Sequence, residues 1–334
     1  MKILIIKPSS LGDIIHSLPV CVCLKKLFPE SYVSYLVFTK FSEILDNNSY
    51  IDQIILWDKK NISLKYIFGL IKNIRQKKFD IVIDLQGLFR TGIIAYFSKS
   101  KYKLGCPGLK EMSFLFLKEV NKFDKTQHAV ERNLEVIKYI AKIFNKTINI
   151  NRDILQNNIK EFFPLDINSH FGFAKKLLLE NSFKFNTKLI GIIPSAGQKK
   201  KIWSKENFAV LCNEIIDKFQ YKIIFFGSKN DNSIVNMICN KIHNKKNIIN
   251  VCGKINLKQL VSLLSFCNLV IGNDTGPIHI ASALDIPVIG LYGPSKPLQL
   301  LPYNKKSIFI YKRYINDIKP SEILEKLKSA QFVF

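Results

Sequence analysis

NLVIGNDTGPIHIASALDIPVIGLYG, residues 268–293, decides the fold. The apolar run 268–273 is short and ends in turn residues, so it reads as a buried strand. DTGP then makes a turn. Pro277 sits where the first turn of a helix favours proline, and 277–283 reads as a short helix. A second apolar run, 286–293, reads as the next strand. Strand, helix and strand in so short a span form a βαβ unit, and its two strands are parallel.

The same alternation runs outward from this unit. In the second half, 188–194, 221–227 and 247–253 read as strands, and 169–180, 205–218, 231–242, 257–266 and 321–329 as helices. In the first half, 3–6, 32–38, 53–57, 80–85 and 101–105 read as strands, and 14–27, 64–75, 89–98 and 128–144 as helices. Residues 145–168 are rich in Asn with weak periodicity, which sets a domain boundary there. The expectation is an α/β protein of two Rossmann-like domains, 1–165 and 166–334, facing a cleft. The carboxyl ends of parallel strands line such a cleft.

The 334 residues suffice for two domains, and 47% hydrophobic content supports real cores. A formal net charge of +24 favours anionic partners without choosing among nucleic acid, lipid and phosphorylated substrates. The seven cysteines form no CxxC pair and no metal-spaced cluster, which fits buried thiols in a reducing cytoplasm. After Met1 and Lys2 only four apolar residues precede Lys7 and Pro8, too few for a signal peptide. No run approaches a membrane span, so any membrane contact is peripheral. Neither half has a G-x-G-x-x-G turn, which argues against a nicotinamide oxidoreductase. A nucleic-acid binder would rest on charge alone.

Four stretches can carry chemistry. In DTGPIH (274–279), the helix start offers backbone N–H groups and a positive dipole end, a natural diphosphate site. Gly276 lets an anion approach the backbone, and His279 lies about one turn in. Asp274 and Thr275 can equally be plain helix caps. In SAGQKKKIW (195–203), lysines follow a strand end, where they either neutralise a departing diphosphate or form a solvated loop. In DLQGLFRTG (84–92), Gln86, Gly87 and Arg90 follow another strand end, again open to an ordinary turn. SSLGDIIHSLP (9–19) resembles a phosphate loop except that it carries Asp13, which would repel an anion. Residues 106–127 place the apolar cluster 114–117 among lysines, readable as a tucked loop or as a patch touching lipid.

Taken in order, SSLGDIIHSLP, DLQGL (84–88), HAVERN (128–133), the lysine–Trp loop and DTGPIH resemble the bacterial lipopolysaccharide heptosyltransferases of glycosyltransferase family 9. The first-loop histidine, DLQGL and HAVERN are most similar to heptosyltransferase I. The resemblance implies the glycosyltransferase-B architecture, with acceptor in the first domain and nucleotide sugar in the second. It implies inverting transfer of heptose from ADP-heptose to the 3-deoxy-manno-octulosonic acid of the inner core on lipid A. A later-acting core heptosyltransferase, or a relative using another nucleotide sugar, is the alternative. The implied place is the cytoplasm, at the inner face of the inner membrane, in contact with anionic lipid and without nucleic acid.

By the same resemblance, Asp13 is the base in a loop where Lys7, Ser9 and Ser10, with Gln86 and Arg90, receive the acceptor. Lys201 matches a catalytic lysine at the diphosphate. Ser195, Asp274, Thr275, Gly276 and His279 match the nucleotide-sugar site. Where the family often has a ribose-binding glutamate, only the shorter Asp231 stands. An attacking hydroxyl needs one carboxylate as base. The helix dipole beside Asp13 should hold it anionic, which weakens it as a base but favours a cationic sugar. The leaving diphosphate needs charge neutralisation from Lys201, His279 and the amides at 275 to 277, with Asp274 turned toward sugar hydroxyls. No D-x-D triplet occurs, so no metal or other cofactor is expected to be obligatory.

Overall fold

The computed structural model describes residues 1–328 except Ile62, Phe123, Ser295 and Lys296. The chain divides into two units, Met1–Pro164 and Leu165–Phe334.

The first unit holds strands β1 (Lys2–Ile6), β2 (Tyr32–Phe38), β3 (Gln53–Trp57), β4 (Ile81–Asp84), β5 (Tyr102–Gly105) and β6 (Lys118–Glu119). Its helices are α1 (Leu11–Ile15), α2 (Leu18–Leu27), α3 (Leu64–Gln76), α4 (Phe89–Phe97), α5 (Ala129–Ile143), α6 (Arg152–Asn157) and α7 (Ile159–Phe162). The second unit holds β7 (Leu189–Ile193), β8 (Lys222–Phe225), β9 (Ile248–Asn250), β10 (Leu269–Asn273), β11 (Val288–Tyr292) and β12 (Ile308–Tyr311). Its helices are α8 (Phe171–Glu180), α9 (Lys205–Phe219), α10 (Asn232–Lys241), α11 (Leu257–Leu264), α12 (Gly276–Ala283) and α13 (Pro320–Lys328).

Both sheets are six-stranded and parallel, ordered β3-β2-β1-β4-β5-β6 and β12-β11-β10-β7-β8-β9. Counted within its own unit, each order is 3-2-1-4-5-6, the doubly wound Rossmann order. Its direction reverses between β1 and β4 in the first unit and between β7 and β10 in the second. Beyond the carboxyl ends of those strand pairs, neighbouring loops diverge and leave room for a ligand.

The central strands are buried on both faces, as a parallel sheet covered by helices requires. β1 reads KILII and β10 reads LVIGN, and Ile3 to Ile6 and Leu269 to Asn273 are buried. Leu4, Ile6, Leu36 and Phe38 pack with Ile74 and Ile94 in the first core. Trp203, Phe208, Ile271 and Ile289 pack with Ile323 in the second. Gly272 marks a tight crossing, where a Cβ would lie 2.7 Å from Ile193 Cβ and 2.9 Å from the Ile193 carbonyl oxygen. All seven cysteines are free thiols and six are buried; burial pushes Cys23 up to about 12.

The structure departs from the pattern in three places. The helix expected over 14–27 is two helices, α1 and α2, because Pro19 has no N–H to give the turn before it. Ser17 bridges the break, donating to the Ile14 carbonyl at 2.7 Å and sharing a 2.6 Å hydrogen bond with the Tyr35 hydroxyl. Residues 145–168 hold α6 and α7. The edge strands β6 and β12 are absent from the expected set; β6, with two residues, is too short for a periodic signal. The terminal helix runs to Lys328, and Ser329, where the expected helix ends, lies outside the described residues.

Candidate active site

In the second unit, three motif residues meet at the carboxyl ends of β7 and β10. Asp274 follows β10 and is buried. Lys201 Nζ donates to its Oδ2 at 2.6 Å, and His279 Nε2 lies 3.8 Å from Oδ1. Burial alone would raise the Asp274 carboxyl, but the hydrogen bonds and charges of His279 and Lys201 outweigh it and hold it below the usual carboxylate range. The carboxylate therefore faces a lysine and a histidine. Ser195 is buried two residues beyond β7.

The sequence positions Lys201 through Trp203. The Trp203 backbone N–H donates to Asn273 Oδ1 at 3.1 Å, and its indole Nε1–H donates to the Ile318 carbonyl at 2.9 Å. The ring is fully buried, so the lysine two residues earlier is held over the end of β10. α12 begins at Gly276, with Thr275 as its cap and Pro277 in the first turn. Pro277 has no N–H, and the Ile278 N–H donates to the Thr275 carbonyl at 3.2 Å. Of the amides expected at 275 to 277, those of Thr275 and Gly276 can face an anion. Asp231 stands apart, beyond β8, where its Oδ2 accepts from the Ser228 N–H and hydroxyl, both at 2.7 Å.

In the first unit, the loops after β1 and β4 meet. The Ser9 N–H donates to Gln86 Oε1 at 3.3 Å. Asp13 Oδ2 accepts from the Ser10 N–H at 3.0 Å and the Ser10 hydroxyl at 2.6 Å, so the carboxylate is folded back on the start of α1. Asp13 thus has the cap contacts that a structural role requires and lies at the edge where a ligand would bind. Lys7 is buried and donates to the Leu85 carbonyl at 2.8 Å, tying the two loops together from beneath. Arg90 is exposed at the start of α4, its guanidinium 5.9 Å from the Phe38 ring.

Residues 67–328 match the sequence profile described as glycosyltransferase family 9 (heptosyltransferase). The chain belongs to glycosyltransferase family 9. A lipopolysaccharide core heptosyltransferase of Haemophilus influenzae is 29% identical over 304 residues, covering 90% of this chain and 81% of that protein. A lipopolysaccharide heptosyltransferase 1 of Campylobacter coli is 28% identical, covering 88% and 84%. The solved structure of Escherichia coli ADP-heptose lipopolysaccharide heptosyltransferase II superposes with a TM-score of 0.81 at 25% identity, covering 99% and 98%. The fold of this family 9 chain is thus the expected glycosyltransferase-B type. Relatives of both heptosyltransferase types match at comparable identity, so the likeness to type I in particular does not stand out.

The motif HAVERN acquires a role that its residues alone did not give. His128 caps α5, its Nδ1 accepting from the Val130 N–H at 3.2 Å. Its ring meets the His16 ring edge-on at 5.1 Å, and Asn133 Nδ2 donates to the His16 carbonyl at 3.1 Å. HAVERN is therefore a brace under the helix break that follows Asp13. Asn273 was missed altogether. Its only signal was its place one residue before the DTGPIH turn.

Proposed function

We propose that this enzyme transfers heptose, with inversion, from ADP-heptose to the 3-deoxy-manno-octulosonic acid of the lipopolysaccharide inner core on lipid A. The Lys201–Asp274–His279 cluster beside the start of α12, in a family 9 chain, carries this reading. The second unit takes the nucleotide sugar and the first takes the acceptor. The enzyme acts in the cytoplasm, peripheral to the anionic inner face of the inner membrane, and has no nucleic-acid partner.

An acceptor hydroxyl attacks the anomeric carbon and gives its proton to Asp13, while ADP departs from the opposite face. The transition state resembles an oxocarbenium ion, as in glycoside hydrolysis. Lys201 and the Thr275 and Gly276 amides meet charge as it grows on the diphosphate, and such preorganised donors are commonly the largest catalytic contribution. Asp274 holds Lys201 in place before the donor arrives. Ser195, His279 and Asp231 complete the donor site. Lys7, Ser9, Ser10, Gln86 and Arg90 shape the acceptor loop. With this cationic set a bound metal is dispensable.

The test is direct. Purified protein with ADP-heptose and lipid A bearing the octulosonic acid should give a product heavier by one heptose. An acceptor already carrying the first heptose distinguishes a later-acting transferase. That second reading is favoured by the likeness to Escherichia coli heptosyltransferase II. Asp13→Asn should lower the rate roughly 10²-fold or more, and a variant keeping above about a tenth of the rate removes the base role. EDTA should leave the rate within about tenfold, since Lys201 and the amides already supply the neutralising charge. A larger loss restored by Mg²⁺ would overturn metal independence.

A further inference from the structure

We propose that the face of the first unit built from α3, α4 and the turn at 113–115 docks the enzyme onto an anionic lipid surface. This deepens the membrane contact proposed above by assigning it to particular residues.

The face is apolar where a soluble surface would be polar. On α3, Leu64 and Phe68 are 74% and 67% exposed. On the 113–115 turn, Phe114 and Leu115 are 60% and 62% exposed. Between them α4 exposes Tyr96 and Phe97. These are not scattered single residues. Phe68 and Phe97 line one groove of about 570 Å³ with Lys72 and Arg75. Tyr96 meets Phe97 at 5.3 Å and Phe116, beside the turn, at 5.7 Å. A contiguous apolar face on a protein surface marks an interaction site.

Charge selects the partner. No Asp or Glu occurs from Lys59 to Phe79, or from Leu85 to Lys110, while both stretches are rich in lysine. On α3, Leu64, Phe68, Lys72 and Arg75 follow one another at intervals of three and four, so apolar and cationic side chains share one stripe. Exposed Lys110 and Lys118 flank the turn, each next to an exposed glutamate, Glu111 and Glu119, so the net cationic charge of the face comes from α3. An interfacial element has this composition: aliphatic and aromatic side chains for the acyl boundary, cations for the head groups. Nucleic acid would use the cations and the aromatic rings but has no use for Leu64, Met112 and Leu115. No helix among the described residues is long and apolar enough to cross a membrane, so this face acts from the surface. α4 begins just after Gln86, so the docked face adjoins the loop edge that carries Asp13. A lipid-anchored acceptor would present its sugars there.

The test uses the full chain with sedimented vesicles, one set containing phosphatidylglycerol and one of phosphatidylcholine alone. The wild type should bind the first and not the second. Phe114→Glu with Leu115→Glu, and separately Lys72→Glu with Arg75→Glu, should each weaken binding about tenfold or more. ADP binding and circular dichroism report whether each variant is folded. Equal binding to both vesicle types, no binding, or folded variants that bind like the wild type would each overturn the proposal. So would DNA binding that is as tight and is indifferent to Phe114 and Leu115. Transfer to a delipidated, water-soluble acceptor separates the two readings. If that transfer persists while vesicle binding fails, the docking face alone is wrong.

Discussion

Asp84 ends β4 wholly buried, its Oδ1 accepting from the Gln86 N–H at 2.8 Å and the Gly87 N–H at 3.0 Å. Burial pushes its carboxyl up from 3.8 to about 6, against the hydrogen bonds of Thr91, Gly87 and Gln86 and the charge of Lys7. A raised acid favours the folded state while it is protonated. Its contribution is therefore fully present below about pH 4 and is lost as pH rises through about 6. The full swing is on the order of 3 kcal/mol. Asp84→Asn keeps an oxygen for the two N–H donors and cannot ionise. Urea unfolding at several pH values should show the variant gaining on the wild type as pH rises from 4 to 7. A parallel pair of curves would mean that Asp84 is not raised. Asp274 shifts the opposite way, since hydrogen bonds and charges of His279 and Lys201 outweigh its burial. The two acids differ by environment, and sequence showed only that both lie at strand ends, Asp84 inside β4 and Asp274 just after β10.

At the scale of elements, what was legible followed period and punctuation. The runs at 32–38 and 53–57 have the expected bounds because each is short, mostly apolar and bounded by polar turn residues. The 14–27 helix was misread because its apolar spacing continues through the break, and only Pro19 marks it. Contacts across long sequence separations were illegible in principle. Asn273 bonding to Trp203, and Asn133 bonding to His16, are set by packing and leave no local pattern. The Asn273 contact predicts a specific loss. Asn273→Ala leaves the buried Trp203 N–H without its acceptor, which costs about 1–3 kcal/mol. It also frees the loop that aims Lys201, so the transfer rate should fall together with stability. Urea denaturation and the single-heptose assay measure both, and unchanged stability would show that the loop is held from elsewhere.

Across the whole molecule, each sheet is made only of strands from its own unit, and each has its own buried core. The residues proposed for the donor, Ser195, Lys201, Asp274, Thr275, Gly276 and His279, with Asp231, all lie in the second unit. Repetition of one strand order gives both units a ligand edge, and the motif residues at the two edges differ. The first presents Asp13, and the second presents Lys201 beside a helix start. The two loops that looked alike in sequence thus present different groups, which supports the proposed placing of the diphosphate at the second. Residues 165–334 expressed alone should therefore fold and bind ADP without transferring heptose. ADP at a hundred times its dissociation constant would stabilise the fragment by about 2.7 kcal/mol. For a fragment of this size that raises the midpoint of thermal unfolding by roughly 5–10 °C. Lys201→Ala in the same fragment should shrink the shift, because the lysine is the cation proposed to meet the diphosphate. A cooperative fragment whose midpoint ignores ADP would mean that the second unit alone does not make the donor site.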